Sequence, residues 1–145
     1  MIFSAQQIFS DDQAVTATAL STNVIDLGAK GTPHGAAAAL NGDVGKGTPI
    51  PVLVQVTEDF ATLTSLTITV EVSAAAAMTS SVVLASQTIL VADLVAGKQT
   101  FVQVLPTGAN LRYLGVRYTV TGTNASAGKL TAGITMGNQT NVTGA

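Results

Sequence analysis

Leu66-Thr67-Ile68-Thr69-Val70-Glu71-Val72 is the stretch that decides the fold. Its apolar residues stand at every second position, with Thr67, Thr69 and Glu71 between them, so an extended chain turns one side to a core and the other to water. The same alternation runs outward from it. Ile50 to Thr57 places Val52, Val54 and Val56 on one face; Leu111 to Thr121 turns Leu114, Val116, Tyr118 and Val120 inward; Lys129 to Met136 does so with Leu130, Ala132, Ile134 and Met136. Ala14 to Ala19, Asn23 to Leu27, Val82 to Val91 and Lys98 to Leu105 are weaker candidates, rich in Val, Ile or Thr and bounded by Gly, Pro, Asn or Asp. The pattern predicts an all-β chain of about eight short strands, an antiparallel β-sandwich of jelly-roll type.

The 145 residues suffice for one domain spanning 1–145, whose folding buries roughly 68–70% of the unfolded surface. Within it the sequence predicts an N-terminal arm (1–13), a long loop (28–49) and a C-terminal tail (137–145). The loop follows from Gly28, Gly31, Pro33, Gly35, Gly42, Gly45, Gly47 and Pro49, and loops of that length usually carry function or move. Ala36 to Ala39 and Ala74 to Ala77 have helix-forming composition but are too short to stand as helices, and read as loops.

Charged residues are 10% of the chain and aromatics 4%, against 47% hydrophobic. An average soluble protein carries about 25% charged residues, so the surface here is built of Thr, Ser, Ala, Gly and Asn. Six basic residues, scattered singly in a chain of net charge -2, form no patch for a run of phosphates, and nucleic acid is not an expected partner. The chain has no Cys and one His, which removes thiol chemistry and most metal designs; no cofactor or metal is expected. Met1-Ile2-Phe3-Ser4-Ala5-Gln6-Gln7 has no Lys or Arg before an apolar core and does not read as a secretory signal. Val72 to Ala92 is uncharged, but Ser73, Thr79, Ser80, Ser81, Ser86, Gln87 and Thr88 interrupt it, so no membrane span is expected.

Candidate chemistry is sparse. Gly42-Asp43-Val44-Gly45-Lys46-Gly47-Thr48 has a superficial phosphate-loop look, yet Leu40 stands where the first Gly belongs, Gly47 stands where Ser or Thr should follow Lys, and a strand follows instead of a helix. His34 has no second His to share a metal or build a triad. Asp11 with Asp12 and Glu58 with Asp59 are adjacent pairs that point apart on an extended chain. Catalysis is not expected. Tyr113, Gly115 and Arg117 share the strand face opposite Leu114 and Val116, and read either as an interaction patch or as a Tyr packed over a strand glycine.

Phe9-Ser10-Asp11-Asp12-Gln13-Ala14-Val15-Thr16-Ala17-Thr18-Ala19 and Ser21-Thr22-Asn23-Val24-Ile25-Asp26-Leu27-Gly28 resemble the N-terminal signature of a phage capsid cement (decoration) family, typified by the cement protein of a short-tailed Bordetella bacteriophage. Leu94-Val95-Ala96-Gly97, Pro106-Thr107-Gly108, Leu111-Arg112-Tyr113-Leu114 and Tyr118-Thr119-Val120-Thr121-Gly122 are similar to its later turns and strand. The resemblance implies a structural virion protein on the outer surface of a mature HK97-fold capsid. There it would bind the major capsid protein, bridge neighbouring capsomers and associate with its own copies as a dimer or trimer. On this reading the contact residues expected are Ile2, Phe3, Gln7, Phe9 and Asp12 of the arm, His34 and Lys46 of the loop, and Tyr113 and Arg117 of the strand face. The alternative is a receptor- or glycan-binding module of a phage fibre or adhesin, which would need more exposed aromatic surface than two Tyr, four Phe and no Trp supply.

Overall fold

The computed structural model describes residues 3–137. Seven strands, β1 (Phe3–Ala14), β2 (Ala19–Leu20), β3 (Ile25–Asp26), β4 (Pro51–Ser73), β5 (Val82–Leu90), β6 (Gln99–Val104) and β7 (Tyr113–Thr135), join in one antiparallel sheet, with a single 3-10 turn at Val91–Asp93. All-β, antiparallel architecture is as the alternation predicts. The seven are not the expected eight: two pairs of expected strands are each one strand, Ala14 to Ala19 is not a strand, and β1 and the short β2 are added. Ile50 to Thr57 and Leu66 to Val72 are the two ends of β4; Leu111 to Thr121 and Lys129 to Met136 are the two ends of β7.

A straight 23-residue strand would run about 75 Å, several times the radius of gyration of about 15 Å expected for a compact chain of this size. Both long strands therefore bend, side by side. The β4–β7 register shifts repeatedly between Val56 and Ser65, and Thr62, Gly122 and Gly128 take φ of 74°, 90° and 138° in that stretch. Thr62 ties the two bends together, its Oγ1 donating to the Asn124 carbonyl at 2.7 Å and accepting from the Ser126 amide at 3.0 Å. A Cβ on Gly128 would lie 2.3 Å from the Phe60 ring, so the bend needs a bare backbone there.

On one side of the bend the order is β1, β7, β4, β6; on the other β2 and β3, β7, β4, β5. The two halves enclose one core. Phe9, Val52, Val54, Leu130 and Ala132 from the first join Leu66, Ile68, Val70, Leu114, Val116 and Tyr118 from the second. The hydroxyls of Ser10 and Tyr118, both fully buried, meet across it at 2.8 Å.

Four expectations are corrected. The sequence predicts an arm at 1–13, but residues 3–13 are not free: from Phe3 the chain is β1, hydrogen-bonded along β7 and bulged at three places, residues 1 and 2 lying outside the described residues. Those bulges, together with Gln6, Gln7, Asp11 and Asp12, erase the period-two pattern by which a strand is recognised. Ala14 to Ala19 is not one strand: Ala14 ends β1, Ala19 opens β2, and the chain bends between them at 15–18 around the buried Val15, while Asn23 to Leu27 shrinks to the two residues of β3. Met136, expected inward, is 86% exposed at the end of β7. Residues 28–49 carry no strand and are mostly exposed, and Gly137 is the one tail residue described, 138–145 lying outside the described residues.

Candidate functional site

The long loop leaves the sheet at β3 and is anchored at both ends. Arg112 donates through Nε and Nη2 to the two Asp26 carboxylate oxygens at 2.9 and 2.7 Å, and the Gly28 amide donates to Asp26 Oδ1 at 2.8 Å. These bonds, Arg112's first, hold the Asp26 pKa down to about 2. Lys30 Nζ donates to the Asn110 carbonyl. At the far end Asp43 accepts from the amides of Gly108 at 2.8 Å and Gly45 at 3.0 Å, which lower its pKa, while Gly45 packs against the Pro106 carbonyl so closely that a Cβ would fall 1.9 Å from its oxygen. An aspartate occupies the amides that a phosphate would need, and the loop has no anion site there.

Between this loop and the sheet lies a cleft of about 400 Å³. Ile25 and Leu27 form one wall, Val44, Pro49 and Ile50 of the loop a second, and Leu105, Leu114, Ile134, Thr135 and Met136 the rest, with Gln7 of β1 at its edge. Among the described residues no charged one lines it. Gln7 reaches it because β1 is bulged there: Phe3 stands opposite Thr135 and Ile8 opposite Gly133, so four residues, Ser4 to Gln7, face a single β7 position. Thr135 is 4% exposed, and its Oγ1 has no hydrogen-bond partner among the described residues.

On the other half of the sheet, the outer face of β4 and β7 is covered by the turn 74–81. Glu71, 3% exposed, accepts from Arg117 Nε at 3.1 Å at both oxygens, from Ser81 Oγ at 2.7 Å and from Thr69 Oγ1 at 2.7 Å. Burial pushes the Glu71 pKa up, and the two hydroxyls and the guanidinium outweigh it, so the net direction is down. Met78 lies over Gly115, and Ser73 Oγ donates to the Thr79 carbonyl at 2.7 Å.

The expected contact residues are thus dispersed. Ile2 lies outside the described residues. Phe3 is half-buried over Gly133, and Phe9 is fully buried in the core, where it cannot meet a partner surface. Asp12 is exposed but engaged, accepting from Thr57 Oγ1 at 2.6 Å and lying 3.4 Å from Lys129, which also pairs with Glu58 at 3.2 Å. His34 and Lys46 are exposed in the loop. Tyr113 is half-buried beneath the Arg112 guanidinium, 5.1 Å from its ring centre. Arg117 is paired with Glu71 and Met78 covers Gly115, while Tyr113 and Arg117 both stay partly exposed. Of the expected residues only Gln7 lines the cleft. Sequence reasoning missed the cleft because its walls come from separate segments, and missed the exposed edge of β5 as a surface although its strand was recognised.

Among the described residues no three His, Asp or Glu side chains converge as metal ligands, and no helix is long and apolar enough to cross a membrane. No curated protein matches the chain. The family model described as Bbp16 matches residues 9–134, nearly the whole described chain and including the signature Phe9 to Gly28, so this protein belongs to the Bbp16 family, a phage cement-protein family of structural virion components.

Proposed function

We propose that the protein cements a mature HK97-fold capsid, binding the major capsid protein on the outer surface and bridging neighbouring capsomers. The family match over residues 9–134 carries this reading. The surface chemistry supports it. With charged residues at 10% of the chain, a contact face is dehydrated without stripping water from many ions. β5 adds a suitable edge: nine residues with neither charge nor proline, carrying Val82 and Val83 at 53% exposure and Leu90 at 61%. Soluble proteins ordinarily blunt such edges with Lys, Pro or a covering loop, so a bare one fits a strand supplied by a neighbour. Association of copies as a dimer or trimer through this edge lets one assembly hold two or three capsomers, and multivalence multiplies modest single contacts.

Binding to the expanded shell in preference to its precursor adds binding free energy to the mature state by linkage. The test is cryo-electron microscopy of expanded shells incubated with the purified protein. Added density bridging capsomers on the outside is the expected result, and bare shells overturn the reading. Equal affinity for precursor and expanded shells would overturn the linkage, because equal binding shifts no equilibrium.

A further inference from the structure

We propose that the cleft between the long loop and the sheet seats an extended, uncharged segment of the major capsid protein, two of whose apolar side chains fill it. The inference rests on the cement reading and names the contact that reading lacks. Three observations carry it. The walls are apolar and hold no charge, so the matching ligand is neither an ion nor a phosphorylated group. At about 400 Å³ the cleft exceeds twice the roughly 150 Å³ that accepts a benzene ring, which is room for two large side chains such as residues i and i+2 of a strand. Its polar groups are neutral: the Gln7 carboxamide, brought to the edge by the β1 bulge, and the Thr135 hydroxyl, buried without a partner among the described residues.

Those two groups are what a peptide backbone recognises. A carboxamide both donates to a carbonyl and accepts from an amide. One staggered step about χ1 moves the threonine Oγ1 into the site its methyl held, so the hydroxyl can reorient when an acceptor arrives. Among the described residues that buried hydroxyl has no partner, and an acceptor on the segment supplies one. The segment 138–145, Asn-Gln-Thr-Asn-Val-Thr-Gly-Ala, has Val142 as its one large apolar residue and does not match a site for two.

The experiment is co-sedimentation of the full chain with expanded shells, comparing wild type, Val44→Trp and Thr135→Val. Val44 sits on the exposed loop wall, so an indole there fills the cleft without entering a strand. Val44→Trp is expected to weaken shell binding at least about tenfold with the melting temperature little changed. Thr135→Val, nearly isosteric, is expected to weaken binding about fivefold while leaving the free chain as stable or more so, since it removes an unsatisfied hydroxyl. A hydroxyl of purely structural importance gives the opposite pair of results. Wild-type binding with both variants binding equally well overturns the cleft and leaves the cement reading standing; wild type that fails to bind expanded shells overturns both. Should Val44→Trp not fold, Thr135→Val decides alone.

Discussion

Replacing Arg117 by alanine removes the only guanidinium on Glu71 while leaving the carboxylate 4% exposed behind the turn 74–81. Breaking a fully buried ion pair costs about 3–5 kcal/mol, because one charge is left without compensation. Two features lower that figure here. The Arg117 side chain is 33% exposed, so part of the pairing is screened, and Glu71 keeps the Ser81 and Thr69 hydroxyls at 2.7 Å. The expected loss is about 2–3 kcal/mol at pH 7, or roughly 7–10 °C in Tm at the usual entropy of unfolding per residue. Its pH dependence follows from the direction of the Glu71 shift. A carboxylate whose folded pKa is lowered contributes stability above its ordinary value, about 4.3, and loses it as pH falls through the folded value. In Arg117→Ala burial is no longer offset by the cation, so the carboxylate protonates at higher pH. The gap between the two proteins is therefore full at pH 7 and narrows as pH falls below about 5. Urea denaturation followed by far-ultraviolet circular dichroism at pH 7 and pH 4 measures both quantities. A loss under about 0.5 kcal/mol at pH 7, or an equal loss at both pH values, would refute the assignment of Glu71–Arg117 as a stabilising buried pair.

Gly128→Ala places a Cβ 2.3 Å from the Phe60 ring at a φ of 138°, and is expected to cost about 2–4 kcal/mol in chemical denaturation; a neutral outcome would mean that the bend does not need a bare backbone there. Ser10→Ala strands the buried Tyr118 hydroxyl and is expected to cost about 1–3 kcal/mol, whereas Tyr118→Phe costs less because Ser10 Oγ keeps Gln13 Oε1 at 2.6 Å; equal losses would contradict that asymmetry. Deleting residues 1–9 removes half of β1 and the fully buried Phe9, so the truncated chain is expected to melt at least about 10 °C lower, with faster hydrogen exchange in the facing residues Gly133 to Thr135. Unchanged melting after that deletion would return the segment to the status of a free arm.

The period-two pattern served where a strand has one covered face, as from Leu66 to Val70, and misled where both faces are covered. Glu71 falls on the polar side of the alternation, yet the turn 74–81 closes over it, and nothing local to Glu71 announces a cover that begins three residues later. The bends were legible only as gaps: Thr57 to Leu63 and Gly122 to Gly128 look like turns between strands because polar residues and glycines interrupt the alternation, although the chain stays hydrogen-bonded through them. β1 was illegible for the opposite reason, since its bulges scramble the order of apolar residues along a strand that is present. Of the residues expected to make contacts, Gln7, named as part of the arm, lies at the cleft. The apolar wall was not legible, because Ile25, Val44, Leu105 and Ile134 come together only through the register of β3, β4, β6 and β7. Family membership was legible from Phe9 to Gly28, where spacing and residue type are most specific.

The bent pair β4 and β7 also determines how the protein bears load. Each runs 23 residues through both halves of the sheet, so the halves are joined by two continuous backbones as well as by packing. Tension directed along these strands loads their ladder in shear, many bonds at once, instead of peeling the bonds apart one after another. A protein strung between two units that pressure drives apart would then yield at its surface contacts before its body opens, and could bind again once the strain had passed.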